Sequence, residues 1–305
     1  SMNSSPPWIN STTNFKSASV RLYTTSSAYG LIENSSFTTS KSIDYWADYI
    51  TVKVVTTPSG YAFTGIWRES YDPYDADGGS TSWTKISSST TATLTSLGEY
   101  ESVYAVFVRM QTIRIYNYYT TNWDSVANNQ AGGSFKVEYS VNNGSSSQTI
   151  TGTSASIGAA YSSTVKVTAT AKSGYQFIGY FSSRPTNETE NRVSTDNPYS
   201  FTASSRSTLY VMFAKTYMLT IKYTSSSATH ATSIKASCSA LGLNSTNIAS
   251  GSSYNFTTYC RSSSQTITVS SVNGSYTYYM GNGSATTSSS TNSFSYSWTT
   301  SVNAT

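Results

Sequence analysis

The chain has 305 residues, a net charge of +4 and 10% charged residues, against about 25% in an ordinary soluble domain. Its 63 Ser, 47 Thr and 26 Tyr supply the solubility that charge normally supplies, and such a nearly neutral hydroxyl surface suits contact with neutral polar matter such as glycans. The basic residues, among them Arg21, Lys53, Arg68, Lys85, Arg109 and Arg114, are scattered rather than gathered on one element, which argues against nucleic-acid binding.

Residues 1–16 open with Ser1-Met2, which reads as a cloning scar, and contain Pro6-Pro7, which reads as linker. From there the chain alternates apolar and polar residues with period two, the pattern of half-buried strands. No stretch has the spacing of a long helix. No apolar run approaches the roughly 18 residues of a membrane-spanning helix; the longest, Val103–Val108, has the length of a strand. Membrane insertion of this segment is therefore not expected.

The first module is expected over 17–110. Its strand Thr51-Val52-Lys53-Val54 is followed by the phrase Ser59-Gly60-Tyr61-Ala62-Phe63-Thr64-Gly65-Ile66-Trp67, and a strand at Val103–Val108 closes it. The second, over 111–216, repeats this plan. Thr164-Val165-Lys166-Val167 precedes Ser173-Gly174-Tyr175-Gln176-Phe177-Ile178-Gly179-Tyr180-Phe181, 114 residues after the first copy, and Leu209–Ala214 closes the module. The third, over 217–305, is divergent and looks clipped. It has Thr266-Ile267-Thr268-Val269, a looser phrase from Asn273 to Met280, and a closing strand expected at Ser301–Thr305. Each closing strand leads almost directly into the next opening strand, Thr112–Tyr116 or Leu219–Tyr223, so a fairly stiff array is expected. Such self-similarity marks a tandem repeat.

Within the repeated phrase, Gly60 and Gly174 suit a turn that needs positive φ. Simple alternation places Tyr61, Phe63 and Trp67 on one face, and likewise Tyr175, Phe177 and Phe181. Gly65 and Gly179 fall on that face, and a strand glycine there predicts a bulge or a close backbone approach. The phrase reads as an aromatic core strand.

Three groups of residues are candidates for a site. The loop Tyr71-Asp72-Pro73-Tyr74-Asp75-Ala76-Asp77-Gly78-Gly79 gathers the carboxylates that calcium prefers; Asp72, Asp75 and Asp77 are candidate ligands, although the spacing is not that of an EF-hand and a solvated turn is the plainer reading. Cys238 and Cys260 fall on two expected strands, Thr232–Ser239 and Tyr254–Cys260. Paired as a disulfide they would close a 22-residue loop, stabilise by about 3 kcal/mol and fit an oxidising compartment. Tyr118, Tyr119 and Trp123 are candidate ligand-stacking aromatics, since adjacent strand residues face opposite sides and one of the two tyrosines is then exposed; packing between modules is the plainer reading. Catalysis is not expected. There is one histidine, His230, and neither a G-x-S-x-G elbow nor a supported carboxylate pair.

The second module carries Val165-Lys166-Val167-Thr168-Ala169, Gly174-Tyr175-Gln176-Phe177-Ile178-Gly179-Tyr180, Asn197-Pro198-Tyr199-Ser200-Phe201-Thr202 and Leu209–Phe213. This pattern resembles the divergent internalin-type B-repeats of bacterial surface proteins, the Listeria–Bacteroides repeat group. The first module fits less well, keeping Trp67 but lacking the Asn-Pro, and the third fits weakly. The resemblance implies a compact β-grasp-like module used as stalk or adhesive unit. Without a helix candidate, a plain β-sandwich stands beside the grasp.

The expectation is an all-β chain of three tandem small modules in an elongated array. Its expected role is that of a non-catalytic extracellular or cell-surface segment, an adhesin or stalk. Expected partners are glycans or host surface proteins and the neighbouring repeats of the parent chain. A phage tail or head-fibre segment is the alternative, since it shares the composition and needs no signal peptide; a glycan-binding module appended to an enzyme is a third.

Overall fold

The computed structural model describes residues 20–26, 31–37, 49–54, 60–72, 80–95, 101–123, 126–127, 130–141, 144–161, 163–225, 227–272, 274, 279–280, 284–285 and 291–296. These are almost wholly β. Among them the helical elements are two single 3₁₀ turns, Ala203–Ser205 and Ser239–Leu241.

The first unit contains β1 (Val20–Ser26), β2 (Leu31–Phe37), β3 (Tyr49–Val54), β4 (Tyr61–Asp72), β5 (Ser80–Ser87), β6 (Thr91–Thr95) and the long β7 (Glu101–Thr120). An antiparallel sheet of order β2-β1-β3-β6 lies beside a ribbon in which β4 pairs with β5 and with the first half of β7. Val52, Ala92 and Leu94 from the sheet meet Ile66 from β4 in a small core.

The second unit adds β8 (Val126–Ala127), β9 (Gly133–Val141), β10 (Gly144–Ile150), β11 (Ser154–Ala160), β12 (Thr164–Ala171), β13 (Tyr175–Phe181), β14 (Arg192–Ser194), β15 (Tyr199–Thr202) and β16 (Thr208–Lys222). One sheet has the order β10-β9-β12-β15, and the other contains β11, the second half of β7, the first half of β16, β13 and β14. Phe135, Val137, Val165, Val167 and Phe201 from the first meet Ile113, Ile115, Ile157, Tyr180, Leu209, Val211 and Phe213 from the second in one core. Side chains from both inner faces filling one core define a sandwich. Of the two all-β arrangements left open by the sequence, this unit takes the sandwich.

The third unit contains β17 (Ser233–Cys238), β18 (Leu243–Ala249), β19 (Ser253–Tyr259), β20 (Gln265–Ser271), β21 (Tyr279–Met280), β22 (Ser284–Ala285) and β23 (Thr291–Tyr296). Its sheet has the order β18-β17-β20-β23, and β19 pairs with the second half of β16. The three four-stranded sheets thus share one wiring, with each first strand between its hairpin partner and the third strand. Residues 301–305, expected to close this unit, lie outside the described residues, as does most of the looser third phrase.

Closing and opening strands prove continuous. β7 passes through the expected boundary at 110/111 without a break, and β16 does the same between Ala214 and Leu219. Along β16 the side chains alternate between two cores. Leu209, Val211 and Phe213 enter the core of the second unit, while Met212, Ala214, Tyr217, Leu219 and Ile221 join a cluster with Ile234, Ala236, Ile248, Ile267 and Val269 of the third. A sheet buried on both faces reads as a continuous apolar run rather than an alternating one, and Leu209-Tyr210-Val211-Met212-Phe213-Ala214 is such a run.

The repeated phrase has the same backbone twice. Gly60 and Gly174 have φ of 77° and 80°, and their carbonyls accept from Met110 and Thr216 at 2.8 and 2.9 Å. The register against the closing strand slips between Phe63 and Gly65 and again between Phe177 and Gly179. Gly65 and Gly179 have φ of 147° and 150°. A Cβ on Gly179 would stand 3.0 Å from the Ser194 carbonyl oxygen and 2.8 Å from Arg192 Cδ; on Gly65 it would meet the Ser87 carbonyl oxygen at 2.8 Å. Bulge and close approach therefore occur together. The bulge also corrects the expected facing, because one inserted residue reverses the alternation beyond it. Phe177 and Tyr180 face the core of the second unit, whereas Ile178 and Phe181 point out of its other face, into the cluster shared with the third.

Candidate functional site

Four of the residues singled out from sequence, Tyr118, Trp123, Cys238 and Cys260, lie in or against the cluster shared by the second and third units. Trp123 lies in the bend that follows β7, at φ 63°. Its N–H donates to Thr120 Oγ1 at 2.9 Å, and its indole Nε1–H reaches across to the Cys260 carbonyl at 2.9 Å. Tyr217 Oη donates to the Thr121 carbonyl at 2.8 Å, and the Cys260 N–H donates to the Lys215 carbonyl at 3.0 Å. Tyr118 and Trp123 are 9% and 8% exposed and belong to the shared cluster. They are packing residues, which corrects their reading as an exposed platform: β16 and the third unit cover the face on which they lie. Tyr119 faces the other way. Half-buried, it meets Tyr175 edge-on with centroids 5.0 Å apart, and Lys172 Nζ lies 5.1 Å from its ring centroid.

The cysteines do not pair. Both are free thiols, which corrects the expected disulfide. Cys260 is fully buried at the end of β19, where its thiol donates to the Thr120 carbonyl at 3.8 Å, toward β7. Cys238 ends β17 in the opposite sheet, only half buried and packed against the same cluster. Burial pushes the Cys260 thiol up to about 12, so it serves here as a small apolar side chain.

Next to Cys260 lies a feature that sequence reasoning missed. Arg261 pairs with Glu188 of the second unit at 3.5 Å, with side chains 17% and 13% exposed. Arg261 also donates to the Ala240 carbonyl and to Tyr259 Oη, with its guanidinium carbon 3.9 Å from the Tyr259 ring centroid. The Glu188 N–H donates to Ser262 Oγ at 3.4 Å. Burial, with the Glu188 charge adding to it, raises Tyr259 above the usual phenol range. One loop of the second unit is thus latched to the third by a largely dehydrated ion pair. In sequence, Glu188 and Arg261 are merely two charges 73 residues apart.

Beside the latch, Tyr116 stacks on Tyr210 with centroids 4.7 Å apart, Tyr118 meets Tyr210 edge-on at 5.4 Å, and Arg114 lies over Tyr116 at 5.3 Å. Tyr210 was not legible as a partner of Tyr116, because that requires β7 and β16 to run parallel, with Tyr210 opposite Tyr116.

Within the second unit the Asn-Pro of the repeat motif has a defined task. Asn197 Nδ2 donates to the Ala169 carbonyl and its Oδ1 accepts from the Ala169 N–H, both at 2.8 Å. The side chain thereby extends the β12–β15 ladder. Tyr180 Oη, fully buried, donates to the Val167 carbonyl at 2.8 Å and lies 3.1 Å from Asn197 Oδ1. Burial raises the Tyr180 phenol far above its ordinary value.

Of the calcium candidates, Asp75 and Asp77 lie outside the described residues, and Asp72 enters only as the last residue of β4, opposite Ser80. Among the described residues no three or more His, Cys, Asp or Glu side chains gather as a metal site.

No family model matches the chain, and no curated protein does. Among solved structures it is similar to the pilus adhesin SpaC of Lactobacillus rhamnosus GG. The open conformation of SpaC matches at 13% identity and a TM-score of 0.24, over 65% of this chain and 29% of the adhesin. Two crystal structures of its C-terminal fragment match at 12% and 14% identity, with TM-scores of 0.21 and 0.22, over 64% and 68% of this chain and 87% and 92% of the fragment. The match thus spans under a third of the longer adhesin structure.

Proposed function

We propose that this chain is a non-catalytic extracellular segment of a surface or secreted protein, related to the internalin-type B-repeats, and that it works as a stiff stalk. One observation carries the reading: β16 runs unbroken from the core of the second unit into the cluster it shares with the third. Units joined by flexible linkers move independently, whereas a strand common to two cores cannot bend without breaking its ladder on one side. The Glu188–Arg261 latch and the Trp123–Cys260 bond hold the same joint away from the strand. A hydroxyl-rich, weakly charged surface fits a spacer among glycans.

The stacking platform that an adhesive role would have used is not exposed as a group, since Tyr118 and Trp123 are core. The test is a pair of spin labels, introduced as non-natural residues at the exposed positions Ser147 and Asn247. The expected result is one narrow interspin distance distribution. A distribution as broad as that of linker-joined domains would overturn the stalk.

A further inference from the structure

We propose that the parallel ladder between β7 and β16 is a shear clamp that makes the second unit a tension-bearing element; this rests on the stalk reading. β7 and β16 run the same way, paired from Thr208 opposite Arg114 to Ala214 opposite Thr120. The chain enters the unit at the start of this stretch of β7, and it leaves at the end of the paired stretch of β16. Tension along the chain therefore pulls β7 backward and β16 forward. The two strands must slide past each other along their common axis, so the hydrogen bonds of the ladder are loaded together rather than one after another.

Three further observations fit such a clamp. One face of the ladder is apolar and largely buried along its length, with Ile115, Leu209, Val211 and Phe213, and the other is dry over its second half, where Tyr118 pairs with Met212 and Thr120 with Ala214. Hydrogen bonds shielded from water have no competitor waiting to replace them. Sliding would also pull apart the Tyr116–Tyr210 stack, whose rings sit directly across the ladder. Finally, the strands on the far sides, β11 along β7 and β13 along β16, hold the pair in plane. Because the third unit supplies the cover over Met212 and Ala214, the clamp is strongest in the intact array.

The experiment pulls the full chain in an optical trap in two geometries. Handles at the two chain ends load the ladder in shear. Handles at Gln111 and Ser207, introduced as non-natural residues, grip the same end of both strands and peel them apart. The second unit is recognised by the length released, between residues 111 and 215 in shear and between residues 111 and 207 in peeling. Where three more ladder bonds break together in shear than in peeling, unlocking at one force is expected to be about 10²-fold slower, the equivalent of about 3 kcal/mol. Tyr210→Ala, at a half-buried position, is expected to speed unlocking in shear and leave peeling little changed. Equal rates in the two geometries would overturn the clamp. A narrow interspin distance with equal rates refutes the clamp alone, and a broad distance with unequal rates refutes the stalk alone.

Discussion

Replacing Gly179 by alanine tests the central feature of the repeat, the bulge that turns Phe181 away from the core of its own unit. Two costs apply. At φ 150° the backbone lies in a region that is essentially glycine-only, and holding a residue with a side chain there costs about 1–3 kcal/mol. The new Cβ would also stand 3.0 Å from the Ser194 carbonyl oxygen, a backbone atom that cannot swing aside, and 2.8 Å from Arg192 Cδ, which can. Together they should destabilise the fold by about 2–3 kcal/mol. With a urea slope of about 1–3 kcal/mol/M the unfolding midpoint should fall by about 1 M. Gly152→Ala is the control: nothing lies within 4 Å of its Cβ position and its φ is ordinary. It should be neutral or stabilising by up to about 1 kcal/mol, through loss of freedom in the unfolded chain. Urea unfolding followed by circular dichroism decides the matter. A Gly179→Ala midpoint equal to that of Gly152→Ala would refute the argument that the bulge requires glycine.

Arg261→Met should cost about 1–3 kcal/mol, since it leaves the Glu188 carboxylate dehydrated and unpaired; adding Glu188→Gln should recover part of the loss, and strictly additive urea midpoints would show that the two residues are not coupled. Cys260 should resist a thiol reagent in the folded protein at pH 8 while Cys238 reacts, and a single-thiol mass shift after native labelling checks this. The same thiol makes stability pH-dependent. Its folded value, about 12, lies above the ordinary 9.0, so the unfolded state loses its proton first and stability should decline as pH rises from about 9 toward 12. Cys260→Ala should flatten that part of the profile, and a decline of unchanged slope would assign it to other groups.

The strands were legible because half-buried strands write their faces into the sequence. Val52 with Val54, Val165 with Val167 and Ile267 with Val269 all lie in cores as their alternation implies. Gly179 foretold a bulge, since little else explains a glycine amid aromatics. What the bulge does to Phe181 was not legible, because simple alternation carries no count of inserted residues. Tyr118 and Trp123 were misread for a different reason. Whether a strand's second face is wet depends on what packs there, and here a stretch of chain a hundred residues away covers it. Spacing alone likewise cannot place two cysteines in opposite sheets. The Glu188–Arg261 latch left no local trace at all, since neither partner has a neighbour in sequence that signals the other.

The strand shared between units has a consequence for synthesis. As the chain leaves the ribosome, the second unit cannot close until β16 has emerged, and even then Ile178, Phe181 and Met212 remain uncovered until the third unit folds over them. Assembly is thus obliged to proceed from the N-terminal side, each unit serving as template for the next. Any pause between two units holds an apolar sheet face open to water and to neighbouring chains. The chain's abundant Ser and Thr then do a second job, keeping a half-built array soluble while it waits for its next unit.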